Sequence, residues 1–407
     1  MKFTKENAGR NIGILLASFV SAPTSICTAL LASIYGWFSN VSPNLLLLCY
    51  TLPTLLGGIV PMIMTPILGK FDKRYLVFGG LISIFVGGII ILVAGLSGFG
   101  VALLGLALVG LGQTAVQAGT NLILSDDDPV NANKACSFNF AVYNVGQILC
   151  GAIAGVLAAG GEWNRAYLVC IPAIIGALVF LFLVKKTAPT QATAAAETVD
   201  TRIAEENAPV AAPKGTTGAF VILSIIVLLV MISNAGWYTN YSVYIIDEAK
   251  IGTTVQTGLV LSIGNLGGFI GGMLFSPIFS KLFKRWSIPI FTVLICAPNL
   301  AAFLGAKSMI VFYITMFMLL GFFVPLNGEI MAASHRFKPT LVSFTTGWFA
   351  VAGFIAPYVL NFFADAMGGA LKVKFGVALV CALIAIVLSI YLVKKLNAMD
   401  AEEAAAA

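Results

Sequence analysis

A chain of 407 residues with 59% hydrophobic and only 10% charged side chains is no soluble multidomain protein, whose charged share is roughly 25%. Its mean hydropathy of +0.98 and 41 glycines point to apolar helices packed closely in a bilayer, at about 20 apolar residues per crossing. The net charge of +6 fits basic cytoplasmic loops rather than nucleic-acid binding, and seven cysteines without CxxC spacing plus one loop histidine, His335, offer no metal site.

The first apolar run is too long for a signal-peptide core of about 7–15 residues, so it reads as an uncleaved helix 1 over 12–35. Ser21, Ser25 and Thr28 share one of its faces, with Thr24 adjacent. Helices 2 to 6 follow at 44–68, 75–95, 100–123, 135–159 and 166–184. Helix 4 carries Gln113, Gln117, Thr120 and Asn121 on one face, and helix 5 carries Asn139, Tyr143 and Gln147. Residues 185–218, rich in Ala, Thr, Pro and Glu without apolar periodicity, read as a flexible cytoplasmic linker.

Helices 7 to 12 are expected at 219–245, 255–279, 287–306, 308–331, 340–364 and 375–393. Helix 7 offers Asn234, Trp237, Tyr238 and Tyr241. The GxxxG spacings from Gly264 to Gly272 in helix 8 read as close helix packing. Asn327 and Glu329 lie in helix 10, and Glu329 is the only acidic residue well inside an expected span. The predicted class is thus an all-α membrane protein of twelve transmembrane helices. Its parts are a six-helix bundle (1–184), the linker (185–218), a second six-helix bundle (219–395) and a cytoplasmic tail (396–407).

Twelve crossings put both termini on one side. The loops on that side hold 18 of the 23 Lys and Arg residues, leaving Arg165, Lys250, Lys307, Lys372 and Lys374 for the other. The positive-inside rule therefore predicts a multi-pass protein of the cytoplasmic (inner) cell membrane with both termini in the cytoplasm.

The two sets of six also repeat one another. At an offset of 211, Pro66, Ile67, Lys70, Lys73 and Arg74 match Pro277, Ile278, Lys281, Lys284 and Arg285. At 209, Gly112 pairs with Gly321 and Gly119 with Gly328. Ser137-Phe138 and Ser343-Phe344 open helices 5 and 11. With six plus six helices, a long linker and basic loops after helices 2 and 8, the chain resembles the major facilitator superfamily. Gly69-Lys70-Phe71-Asp72-Lys73-Arg74 resembles that family's loop between helices 2 and 3, one residue short and without its second glycine. Glu162-Trp163-Asn164-Arg165-Ala166-Tyr167 is similar to the Trp-Arg-aromatic start of helix 6 in bacterial members.

That resemblance implies a secondary transporter working by alternating access, its central path lined by helices 1, 4, 7 and 10. A nucleotide-driven pump would need GxxxxGK[ST], which is absent, and a hydrolase would need a nucleophile with a base. A membrane sensor would be expected to carry a folded signalling domain. Polar groups clustered within spans point to a cavity, so Gln117, Asn121, Asn139, Trp237, Tyr238 and Asn327 are the expected contacts of a small organic solute. Glu329 is expected to carry the coupling proton, with sodium as the alternative ion, and the resemblance makes Asp72 and Arg74 a conformational latch. The competing transport readings are a multidrug-type efflux antiporter and an uncoupled facilitator; Gly146-Gln147-Ile148-Leu149-Cys150-Gly151 lacks the Gly-Pro step typical of antiporters in that family. No cofactor, metal or nucleic acid is implied, and a monomer is expected.

Overall fold

The computed structural model describes residues 8–68, 72–127, 132–185, 216–338 and 341–406. All regular structure among them is helical, and the chain divides into two compact units, Met1–Val210 and Ala211–Ala407. Most of the expected linker, residues 186–215, lies outside the described residues, as do Gly69, Lys70 and Phe71.

In the first unit, helix 1 runs in three pieces: Ala8–Val20, a 3-10 turn Ala22–Ser25, and Ile26–Trp37. Pro23 is the cause, because proline has no N–H and its ring clashes with the preceding turn. Hydroxyls take over freed carbonyls: Ser21 Oγ donates to Ser18 O at 2.8 Å and Thr28 Oγ1 to Ser25 O at 2.9 Å. Helix 2 is Pro43–Leu46 and Leu48–Leu68, helix 3 Lys73–Ala94, helix 4 Phe99–Asp127 and helix 5 Ala132–Leu157. Helix 6 begins as a 3-10 segment, Trp163–Cys170, and continues as Pro172–Leu183. Its fully buried Trp163 packs edge-on against Phe38 and Tyr167, closing one end of this unit's core.

Glycine lets helices 3 and 4 of this unit approach closely. A Cβ on Gly80 would stand 2.7 Å from Gly112 O, and one on Gly87 would stand 2.6 Å from Gly105 O. Helices 3 and 4 therefore meet backbone to backbone, the arrangement small residues permit.

In the second unit, helix 7 is Thr216–Tyr238, interrupted at Thr239–Asn240, then Tyr241–Val243 and a π-helical turn Tyr244–Glu248. Helix 8 comprises Thr254–Ile270, a π turn Gly271–Phe275 and Ser276–Phe283; a 3-10 turn, Lys284–Trp286, follows. Helix 10 is Met309–Phe337 and helix 11 Val342–Ala366. The GxxxG stripe packs as expected: a Cβ on Gly271 would run into Gly321 O, and one on Gly267 into Phe317 O.

Several boundaries differ from the sequence expectation, most of all those of helices 9, 10 and 12. Helix 9 is two short pieces, Ser287–Leu294 and Ala297–Phe303, because Pro298 interrupts the apolar run. Helix 10 continues past 331 to Phe337. Helix 12 starts at Leu371 and runs through the expected tail to Ala406, since Ala and Glu are strong helix formers. Asp400 anchors that extension, accepting from Arg285 Nε and Nη2 at 3.1 Å each and from Arg336 Nη1. Among the described residues ten helices are long and apolar enough to cross a bilayer, and Ser287–Phe303 is a shorter apolar one.

Candidate functional site

A cleft of about 470 Å³ opens in the first unit between helices 1, 2 and 4. Helix 4 supplies Gln113, Thr114, Gln117, Ala118 and Asn121, a spacing of three to four residues that holds them on one face. Helix 2 supplies Pro53, Thr54 and Gly57, and helix 1 supplies Thr24 from its 3-10 turn. Among the described residues no charged or aromatic side chain lines it. Its wall is amide and hydroxyl, with proline, glycine and alanine between.

The polar face is braced from behind. Asn139 is fully buried and makes three hydrogen bonds: it accepts from Ser18 Oγ at 2.6 Å and donates to Thr120 Oγ1 at 3.1 Å and Asn121 Oδ1 at 3.2 Å. Helices 1, 4 and 5 are joined through this one amide. Higher on the same faces, Tyr143 accepts from Gln147 Nε2 at 2.8 Å and from Gln113 Nε2. Gln117 Nε2 donates to Ser21 Oγ at 3.3 Å, beside the helix 1 break. Gln117 Oε1 and Thr24 Oγ1 are buried, with no hydrogen-bond partner among the described residues.

Of the six expected solute contacts, Gln117 and Asn121 lie on the cleft wall, while Asn139 stands behind it. Trp237 belongs to the second unit's core. It is 0% exposed, stacks on Phe312 at 4.7 Å and is ringed by Tyr241, Tyr244 and Phe375. Tyr238 and Asn327 are half-buried in the same unit, and Asn327 Oδ1 is buried without a hydrogen-bond partner among the described residues. Glu329 is half-buried on helix 10. Asp72 caps helix 3 by accepting from Arg74 N at 3.1 Å, and the Arg74 guanidinium pairs with it at 2.7 Å. Arg74 Nη1 also donates to Val184 O at the end of helix 6, at 3.2 Å.

The sequence reading missed the helix 2 side of the cleft. Pro53, Thr54 and Gly57 sit in a run that reads simply as apolar, and only their spacing on one turn hints at a face set apart. It also missed the joint at the break in helix 7. There Asn240 donates to Gly236 O at 3.0 Å and accepts from Lys374 Nζ at 3.4 Å, a lysine counted with the loops but placed in the first turn of helix 12.

Solved structures with this fold include the peptide transporter POT in a mutant form, with a TM-score of 0.70 and 15% identity over 94% of this chain and 95% of that one. The same mutant in complex with alafosfalin gives 0.69 at 15% identity over the same shares. POT in complex with sulfate gives 0.69 at 15% identity, covering 95% of each chain. No curated protein matches the sequence. The sequence model of the Major Facilitator Superfamily does match, over residues 11–359. Because that match takes in most of both helical units, the chain belongs to the Major Facilitator Superfamily, a family of secondary transporters of small solutes and not of enzymes.

Proposed function

We propose that the protein is a proton-coupled secondary active transporter of a small organic solute, which binds in the cleft between helices 1, 2 and 4 and crosses by alternating access. The cleft carries the reading. It joins the predicted residues Gln117 and Asn121 to a break in helix 1, and polar atoms on its wall stand buried without partners. Irregular backbone at membrane depth is tolerated where it lines a cavity. Asn139 acts here as a positioning residue for Asn121; Tyr238 and Asn327 are the second unit's candidate contributors, while Trp237 is held in that unit's aromatic core. Both termini lie in the cytoplasm of the cell membrane in this reading, on the strength of the lysine and arginine distribution.

The coupling role falls to Glu329. It stands eight residues before the end of helix 10 at Phe337, which is about 12 Å of axial rise. The helix thus carries it about two turns from its end rather than at its end. In this reading the carboxyl group carries the coupling proton from one aqueous side to the other as the two openings alternate. In proteoliposomes, Glu329→Gln should abolish accumulation driven by a pH gradient and leave passive solute exchange largely intact. Accumulation driven by the pH gradient that survives in Glu329→Gln removes this carboxyl group from coupling, whereas wild-type accumulation that needs a sodium gradient and ignores pH makes the cycle sodium-coupled. A wild-type protein that equilibrates solute but never concentrates it is an uncoupled facilitator.

A further inference from the structure

The hydrogen-bonding capacity of the cleft wall, more than its size, selects a chemical class of solute. Thr54 and Thr114 spend their hydroxyl protons on their own helices, donating to Tyr50 O at 2.9 Å and Gly110 O at 3.0 Å, so each turns only lone pairs outward. Gln117 commits its nitrogen to Ser21, which leaves Oε1 as a buried acceptor. Asn121 is the reverse: its Oδ1 accepts from Asn139, and its amide nitrogen remains as a donor. Thr24 is the exception among these threonines. The helix 1 break gives its hydroxyl no carbonyl partner, so a buried O–H both donates and accepts there.

The wall therefore mixes acceptors and donors at short range without a full charge. A carboxylate would bring acceptors only, to face the acceptor oxygens of Thr54, Thr114, Gln113 and Gln117 with no cation among the described lining residues. An ammonium would bring donors but find no counter-charge among the lining side chains. On this wall a flat aromatic or lipophilic solute would find no ring to stack on among the described lining residues and would leave the polar atoms unpaired. A hydroxyl group donates one hydrogen bond and accepts others. Several hydroxyls on a small frame would satisfy such a wall. The volume of about 470 Å³ is at the small end of ligand pockets, which run roughly 300–1,000 Å³.

We infer that the solute is an uncharged polyhydroxylated molecule of sugar or polyol type, recognised in the first unit by Thr24 and Gln117. This inference rests on the cleft being the solute site, and the experiment separates the two. The purified full-length protein is titrated by calorimetry and thermal shift with neutral hexoses, pentoses, hexitols and disaccharides. Dialanine, citrate and tetraphenylphosphonium serve as zwitterionic, anionic and lipophilic-cation contrasts. Binding by a neutral hydroxylated probe is expected, weakened about tenfold or more in Thr24→Val and Gln117→Ala and retained in Thr24→Ser. Thr24→Val keeps the side-chain shape and so guards against simple loss of folding, which the thermal midpoint also reports.

No binding by any neutral hydroxylated probe overturns the inference. If Thr24→Val and Gln117→Ala instead weaken binding of dialanine or citrate, the cleft remains the site and the polyhydroxylated class is wrong. If a bound probe of any class is indifferent to both substitutions, the cleft itself is not the solute site and the inference falls with it.

Discussion

At the residue scale, two amides one helix apart do opposite work. Gln117 faces the cleft with an unpaired oxygen, whereas Asn139 is saturated by Ser18, Thr120 and Asn121. The difference lies in what each side chain meets: Asn139, 0% exposed, sits between helices 1 and 4 where three neighbours pair it, whereas Gln117 Oε1, also buried, lies on the cleft wall with no partner among the described residues. Asn139→Ala should therefore act first on stability, by about 1–3 kcal/mol, because it leaves the Asn121 oxygen unpaired and the Ser18 hydroxyl with only a 3.5 Å hydrogen bond to Thr120 Oγ1. Its effect on solute affinity should be smaller than that of Gln117→Ala. Thermal unfolding and solute titration of the two variants check this. An Asn139→Ala protein of normal stability that fails to bind solute would return Asn139 to direct contact. Trp237 makes a similar point, since its ring is already stacked on Phe312 within an aromatic cluster.

At the scale of elements, breaks and close approaches decide what each helix does. Helix 1 bends at Pro23 and exposes Thr24, and helix 5 fits against that bend because a Cβ on Gly146 would run into Phe19 O. The halves pack differently despite their repeat. Gly112 meets Gly80 of helix 3, while its counterpart Gly321 meets Gly267 and Gly271 of helix 8. The start of helix 3 is a tight joint in which Asp72, 7% exposed, holds both the helix cap and Arg74. We propose that this joint also serves as a conformational latch, so that Asp72→Asn lowers the transport rate more than it lowers solute affinity. A cap alone is worth about 0.5–2 kcal/mol of stability. Normal turnover in an Asp72→Asn protein with a lowered thermal midpoint would reduce the residue to a cap.

At the scale of the molecule, each unit is a six-helix assembly with its own core, Trp163 and Tyr167 anchoring the first and Trp237 and Phe312 the second. The second unit has an added strap. Asp400, near the end of helix 12, pairs with Arg285 beyond helix 8 and Arg336 at the end of helix 10. The orientation we propose rests on the distribution of charge, with 18 of 23 Lys and Arg in the loops expected on the side of the termini. Cysteines placed at Lys2 or Lys395 should react with a membrane-impermeant maleimide only after the cells are opened. Labelling at either position in intact cells would invert the topology.

The sequence by itself determined the all-helical membrane class, the family and the glycine contact of helix 8. Each is written in local composition: apolar length sets a crossing, basic residues mark one side, and small residues at every fourth position mark close approach. It also put Gln117 and Asn121 on one helix face, since 3.6 residues per turn is enough to group them. What only the tertiary structure decided is which grouped polar residues meet a cavity and which meet each other. Asn139 and Gln117 have the same chemistry and similar neighbours in sequence, and their roles separate only when helices 1, 4 and 5 are packed. Thr54 was illegible because its polarity is partly satisfied by its own helix, at Tyr50 O. Asp400 was read as tail because nothing local announces a partner 115 positions away in Arg285; an ion pair between distant elements exists only once the chain has folded.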